Sequence, residues 1–130
     1  GWVDYVTPQL YLEIGHPKIA YEKLLDWWSK HSYGKHLYIG IAAYKAGVNT
    51  AWRNPNEIPN QIKLARQTDH VQGAVYFSST SFNRNPNGWN DSLQNNYYKT
   101  PALIPPMEWL PENPNKVAMK KQPPSSKKSK

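Results

Sequence analysis

Residues 36–44 read HLYIGIAAY and residues 71–79 read VQGAVYFSS. Both are short, almost continuously apolar runs, which is typical of strands that are covered on both faces in a parallel sheet. Residues 3–11, VDYVTPQLY, predict a third strand. Pro8 is expected near the end of that strand or at a bulge, because proline cannot donate a ladder hydrogen bond.

Helices are predicted between these strands. Residues 19–31 carry one apolar stripe at helical spacing, formed by Tyr21, Leu24, Leu25 and Trp28. Asn54 is a candidate cap for a second helix whose apolar face continues through Ile58, Ile62 and Ala65, although Pro59 leaves a start one turn later open. A third, short helix is predicted from Asp91, as its cap, to about residue 98.

The predicted strands begin about 33–35 residues apart, which is the length of a right-handed βαβ unit. Eight such units would take about 270 residues, close to the length of a (β/α)₈ barrel. The sequence therefore predicts an α/β fold, with three parallel βα units of a TIM barrel. A self-contained, doubly wound domain is the less favoured alternative, because such folds use about five strands. Three open units would leave apolar inner positions and the edges at residues 3–11 and 71–79 uncovered.

The net charge of +7 is concentrated at one end of the chain. Residues 1–115 contain ten Lys or Arg and nine acids, a net of +1, whereas residues 116–130 contain six Lys and no acid. Residues 112–130 are therefore predicted to be a disordered tail or linker, and a nucleic-acid partner is not expected. Since the chain contains no cysteine, disulfide scaffolds and thiol catalysis are excluded. No apolar stretch is long enough to span a bilayer. The chain opens almost directly on a predicted strand, so we expect a longer parent protein.

The loops that follow the strands form the functional face of parallel α/β folds. In this chain they combine aromatic rings with amide, hydroxyl and carboxylate groups, a mixture that suits a sugar. Packing at the barrel mouth is an equally good explanation for the tyrosines, whereas the two tryptophans lie in polar loops and are expected to be exposed. The predicted substrate-binding residues are Gln9, Tyr11, His16, Tyr44, Trp52, Ser78, Ser79 and Trp89.

Glycoside hydrolysis usually needs two carboxylates, and Glu13 is the one candidate at the predicted functional end. Glu13 could instead hold its loop through His16. Asp4 and Asp69 should lie at the opposite end of the strands, and Glu57 belongs to a helix start. The four histidines have no ligand spacing, so neither a metal nor another cofactor is predicted.

Six blocks of this chain, in order, resemble the glycosyl hydrolase-like 10 family of bacterial envelope lipoproteins, most closely its Bacteroidetes members. The blocks are VDYVTPQLYLEIG (3–15), YEKLLDWWSKH (21–31), LYIGIAAYKAG (37–47), WRNPNEIPNQIKLARQ (52–67), VQGAVYFSS (71–79) and DSLQNNYYKTPALIPPM (91–107). The resemblance implies that residues 1–111 are the C-terminal three βα units of a glycoside hydrolase-like TIM barrel. It further implies that the acidic catalytic motif belongs to the missing N-terminal half.

We therefore expect part of a glycoside hydrolase that acts on peptidoglycan or another polysaccharide, with the N-terminal remainder of the barrel as its structural partner. The resemblance places the parent in the cell envelope or periplasm, held by a lipid anchor on an N-terminal signal that these residues do not include. A non-catalytic carbohydrate-binding protein and an inactive fragment are the alternatives. This stretch alone is expected to lack glycosidase activity, because it offers one candidate carboxylate.

Overall fold

The computed structural model describes residues 2–48 and 50–109. Its sheet has three strands in the order β1-β2-β3, where β1 is Tyr5–Val6, β2 is His36–Ile41 and β3 is Val71–Tyr76. Both neighbouring pairs are parallel. The predicted α/β class, with parallel strands in chain order, is confirmed and is consistent with part of a TIM barrel. The tail predicted at residues 112–130 lies outside the described residues.

The first strand is much shorter than the predicted range of residues 3–11. Past Pro8, which has no N–H to donate, pairing resumes only as an isolated parallel bridge between Gln9 and Gly40. The backbone N–H of Gly40 donates to the Pro8 carbonyl oxygen at 2.9 Å, and Leu10 N–H donates to the Gly40 carbonyl oxygen at 3.1 Å. The chain therefore stays close to β2 until Leu10, although regular pairing has ended.

Helix α1 comprises Tyr21–Lys30 and helix α2 comprises Glu57–Gln67. Helix α2 begins between the two predicted starts, two residues after Pro55 and less than one turn later. Asn54 does not cap it; its side-chain oxygen accepts a hydrogen bond from the Asn56 N–H at 3.0 Å in the preceding turn. Pro59 is tolerated because the first four N–H groups of a helix have no partner within it.

Two short helices follow β3. Helix α3 comprises Ser79–Arg84 and was not predicted, whereas helix α4 comprises Trp89–Asn96 and begins two residues before the predicted start. Gly88 occupies the cap position of α4 with a positive φ of 65°, so the predicted capping role of Asp91 is wrong. The Asp91 carboxylate instead accepts a hydrogen bond from the Asn85 side-chain amide at 2.8 Å.

The helices cover one face of the sheet. Leu37, Ile39 and Ile41 alternate along β2, are fully buried, and belong to one core with residues of α1 and α2. Each such side chain contributes roughly 1.5–3 kcal/mol of burial energy. No helix within residues 2–48 and 50–109 is long and apolar enough to cross a bilayer.

The opposite face is open, as predicted for an incomplete barrel. The register pairs Tyr38 with Gly73 and Gly40 with Val75 on this side. Tyr5 is 56% exposed and Val75 is 48% exposed. In the described part of the chain, β1 and β3 each have β2 as their sole sheet neighbour. Apolar side chains and strand edges are thus left uncovered where further strands would complete a barrel.

Candidate functional site

Three aromatic rings meet at the carboxyl ends of the strands, on the open face of the sheet. The ring centres of Tyr11 and Tyr44 are 6.0 Å apart, those of Tyr44 and Phe77 are 6.1 Å apart, and those of Tyr11 and Phe77 are 6.5 Å apart. Tyr44 is 48% exposed and Phe77 is 59% exposed, whereas Tyr11 is half-buried. We call Tyr11, Tyr44 and Phe77 the aromatic cluster.

Backbone hydrogen bonds between consecutive units hold this cluster together. Phe77 N–H donates to the Ile41 carbonyl oxygen at 3.0 Å, and Tyr44 N–H donates to the Phe77 carbonyl oxygen at 3.1 Å. The bridge from Gln9 to Gly40 brings the first unit alongside and leaves the Gln9 side chain exposed. The three rings are therefore positioned by the sheet itself, because each follows the end of a parallel strand.

Buried polar groups of α2 bind the loop that follows β1. The Glu57 carboxylate, in a residue that is only 7% exposed, accepts hydrogen bonds from Ile14 N–H at 2.9 Å and from the Gln61 side-chain amide at 2.7 Å. That amide also donates to the Leu12 carbonyl oxygen at 3.2 Å. Burial, together with the nearby Glu57 carboxylate, raises the pKa of Tyr21, whose hydroxyl donates to the Gln61 carbonyl oxygen. This network fixes the loop that carries Glu13.

Glu13 and Trp52 form a contact between the segments that follow β1 and β2. The Trp52 indole N–H donates to the Glu13 carboxylate at 3.3 Å. Lys45 lies over the Trp52 ring at 5.6 Å and donates to the Tyr11 carbonyl oxygen at 2.6 Å. The Glu13 carboxylate therefore binds Trp52 and does not hold the loop through His16. The contact with His16 is made by the backbone, where the Glu13 carbonyl oxygen accepts a hydrogen bond from the His16 N–H at 3.3 Å.

The prediction that Trp52 and Trp89 are exposed is wrong, because each is only 1% exposed. Trp89 opens α4 and packs against Tyr76 and Phe82 at ring-centre distances of 6.0 and 4.9 Å, on the helix side of the sheet. Polar neighbours in sequence misled the prediction, since both indoles turn inward while the Asn and Pro residues around them are exposed or half-buried. Neither indole offers a stacking surface for a ligand in this arrangement.

The remaining predicted binding residues have different surroundings. The His16 imidazole accepts hydrogen bonds from the N–H groups of Lys18 and Ile19 at 3.3 and 3.4 Å, so it stabilises a local turn. Ser78 is half-buried and Ser79, the first residue of α3, is exposed. Ser78 and Tyr44 line the same cleft, of about 530 Å³, beside the aromatic cluster.

The structure therefore brings together Gln9, Tyr11, Tyr44 and Ser78 and places Trp89 elsewhere. Phe77 was not predicted as a site residue. The alternation along β3 offered the signal, because Phe77 continues the open face two residues after Val75. No group of three or more His, Asp or Glu side chains that could hold a metal ion occurs in residues 2–48 and 50–109.

Comparison with known proteins shows what the chain resembles. It is 46% identical over 114 residues to the glycosyl hydrolase YngK of Bacillus subtilis, a match that covers 85% of this chain and 22% of YngK. It is 28% identical over 93 residues to the glycosyl hydrolase DigH of Escherichia coli K12, which covers 65% of this chain and 21% of DigH.

The chain is similar to glycosyl hydrolases.

These relatives support a glycosyl hydrolase-like family. The chain spans about a fifth of the length of each relative, and no protein-family model matches it. One relative comes from Bacillus and the other from Escherichia, so the expected closeness to Bacteroidetes members stays a prediction. The lipoprotein character and the family 10 assignment also stay predictions.

Proposed function

We propose that this chain is the C-terminal part of a glycoside hydrolase barrel that acts on a glycan, either peptidoglycan or another polysaccharide. The observation that carries the proposal is the exposed aromatic cluster at the carboxyl ends of three parallel strands, where barrel enzymes bind their substrates. Its similarity to two proteins named glycosyl hydrolase supports the same class of substrate.

The chemistry of the cluster fits a sugar. A pyranose ring presents an apolar C–H face, which an exposed ring such as Tyr44 can cover, while its hydroxyl groups need hydrogen-bonding partners. Gln9 and Ser78 supply an amide and a hydroxyl beside the cluster. The proposed glycan contacts are therefore the aromatic cluster with Gln9 and Ser78.

Catalysis would need a pair of carboxylates about 5–10 Å apart across the scissile bond. Glu13 is the candidate that this chain offers. Asp4 and Asp69 immediately precede β1 and the turn into β3, at the amino ends, and Glu57 is buried in the loop network. The second carboxylate would come from the N-terminal remainder of the barrel, the proposed partner of the open face of the sheet.

The proposal is tested on the full-length protein with soluble glycan oligosaccharides. Tyr44→Ala should weaken oligosaccharide binding about ten-fold, because it removes half-exposed ring surface while the backbone bond to Phe77 remains. Tyr33→Ala is the matched control, since Tyr33 is 83% exposed and precedes β2 at the amino end. Equal binding by both variants and the unaltered protein would contradict the proposed glycan face.

A second candidate function is carbohydrate binding without catalysis. The hydrogen bond between the Glu13 carboxylate and the Trp52 indole favours it, because that bond gives Glu13 a structural task. Glu13→Gln separates the two candidates, since a Gln oxygen still accepts the indole bond but cannot ionise. If Glu13 is catalytic, turnover should fall at least a hundred-fold with unchanged stability; a pure binding protein should bind the oligosaccharide and hydrolyse none.

We also propose that the parent protein is held in the cell envelope or periplasm by a lipid anchor on an N-terminal segment. Such a location would place the glycan face next to envelope polysaccharides. Fractionation of cells that produce the full-length protein tests this proposal. Recovery in the cytosolic fraction alone would contradict it.

A further inference from the structure

A cleft adjoins the aromatic cluster, between the segment that follows β2 and helix α3. Its volume is about 530 Å³, and Tyr44 forms the boundary that it shares with the cluster. Ser78, Thr80, Ser81 and Arg84 are among the residues that line it. The cleft therefore combines hydrogen-bonding groups with one cation directly beside the proposed sugar-binding rings.

The cation in this cleft has no partner in the described part of the chain. Within residues 2–48 and 50–109, the Arg84 guanidinium takes part in no hydrogen bond, ion pair or ring contact, and no carboxylate lines the cleft. The acid that lies nearby in sequence, Asp91, accepts a hydrogen bond from Asn85 instead. The positive charge of Arg84 is thus left available to a ligand.

Both walls of the cleft belong to consecutive units of this chain. The wall formed by residues 43–48 follows β2, and the wall formed by residues 78–86 follows β3. Strands added at the free edges of β1 and β3 would extend the sheet at other positions. This chain therefore forms the cleft by itself at the carboxyl end of the sheet, where ligands bind in such folds.

We propose that the cleft binds a sugar residue that carries a carboxylate, and that Arg84 recognises that carboxylate. The proposal rests on the proposed function, because the neighbouring sugar would occupy the aromatic cluster. A guanidinium matches a carboxylate with two parallel hydrogen bonds, and one cation balances one carboxylate charge. The serine and threonine hydroxyls would bind the hydroxyl groups of the same sugar.

The experiment compares two oligosaccharides with one backbone, by calorimetry on the full-length protein. One is the neutral β-1,4-linked tetrasaccharide of N-acetylglucosamine, and the other carries a lactyl ether, with its carboxylate, on alternate sugars. The unaltered protein should bind the acidic form about ten-fold more tightly. Amidation of the lactyl groups, which removes the charge and keeps the shape, should abolish this preference.

Substitutions then assign the preference to one side chain. Arg84→Gln should lower the affinity for the acidic form about ten-fold, so that the preference for it over the neutral form is lost. Arg84→Lys keeps the charge without the planar fork and should give an intermediate affinity. Lys63→Gln is the control, because it removes one positive charge from the exposed surface of α2, away from the cleft.

The outcomes separate the two proposals. Equal binding of both oligosaccharides by the unaltered protein, or an acidic preference that survives Arg84→Gln, overturns the role of Arg84 and leaves the proposed glycan function standing. If neither oligosaccharide binds while the protein is folded by circular dichroism, the inference about Arg84 fails and the proposed function is restricted to a polysaccharide other than peptidoglycan. A loss of acidic preference in Lys63→Gln equal to that in Arg84→Gln would show a general charge effect and also overturn the inference.

Discussion

At Gly40 the first unit approaches β2 closely, and substitution of this residue should disturb both the fold and the aromatic cluster. A Cβ atom at Gly40 would lie 3.0 Å from the Pro8 carbonyl oxygen and 3.1 Å from the Gln9 Cα. Both are backbone atoms, so they cannot rotate away as a side chain could. The N–H of Gly40 also donates to that Pro8 oxygen at 2.9 Å. Gly40→Ala therefore forces the backbone at Pro8 and Gln9 to move away from β2.

The cost follows from these contacts. Overpacking against backbone costs about 1–3 kcal/mol, and the weakened hydrogen bonds on either side of Gly40 cost about 1 kcal/mol each. Replacing a strand glycine by alanine returns about 0.5–1 kcal/mol of conformational entropy. Gly40→Ala should therefore destabilise the protein by about 2–4 kcal/mol. Tyr11 should also move away from Phe77, which would weaken glycan binding.

The assay is urea unfolding of the full-length protein followed by tryptophan fluorescence, with Gly73→Ala as the matched control. A Cβ at Gly73 would lie 3.3 Å from the ring of Tyr38, a side chain on the open face that can shift. That substitution should cost less than about 1 kcal/mol. The reasoning is refuted if Gly40→Ala unfolds at the same urea concentration as the unaltered protein, or if Gly73→Ala is the more destabilising of the two.

Two further predictions concern the interior. Trp52→Phe keeps most of the buried ring but removes the indole hydrogen bond to Glu13, so it should lower the free energy of unfolding by about 1–3 kcal/mol. Trp52→Ala should lower it by about 3–5 kcal/mol. An unchanged midpoint of urea unfolding in either variant would contradict the stabilising role of the Trp52 indole. Burial raises the pKa values of Tyr21 and Tyr76, and the neighbouring Tyr98 raises that of Tyr76 further. Because these groups ionise at a pH near 10 only after unfolding, their contribution to stability is complete below that pH and is lost progressively as the pH rises above it. Stability measured from pH 9 to 11 should therefore fall, and it should fall less in a Tyr76→Phe variant; an equal fall in both would contradict the assignment.

The strand order and the broad site location could be predicted because they depend on local pattern. Residues 36–44 and 71–79 are apolar on both faces, and a helical stripe such as that of residues 19–31 lies between successive strands. A crossover of that length makes neighbouring strands parallel, which sends their following loops to one end. Tyr11, Tyr44 and Ser78 were assigned to that end for this reason, and the structure places them there.

The direction of individual side chains could not be predicted in the same way. Trp52 and Trp89 lie among Asn and Pro residues, whose polarity describes the loop and not the indole. Their burial depends on partners far along the chain: Trp52 donates to Glu13, and Trp89 packs beside Tyr76. Helix α3 was missed for a related reason, since six residues are too few to show a helical period.

The sequence by itself determined that this chain builds parallel βα units whose strands are covered by helices on one face. That result follows from the period of about 34 residues and from apolar patterning, which act within one segment or between neighbouring segments. Only the tertiary structure decided that Phe77 joins Tyr11 and Tyr44, that the Glu13 carboxylate is bonded to Trp52, and that Arg84 faces a cleft. These arrangements depend on strand register, because a shift of one residue turns every side chain of a strand to the other face of the sheet. They also depend on close approaches between segments, such as the one at Gly40.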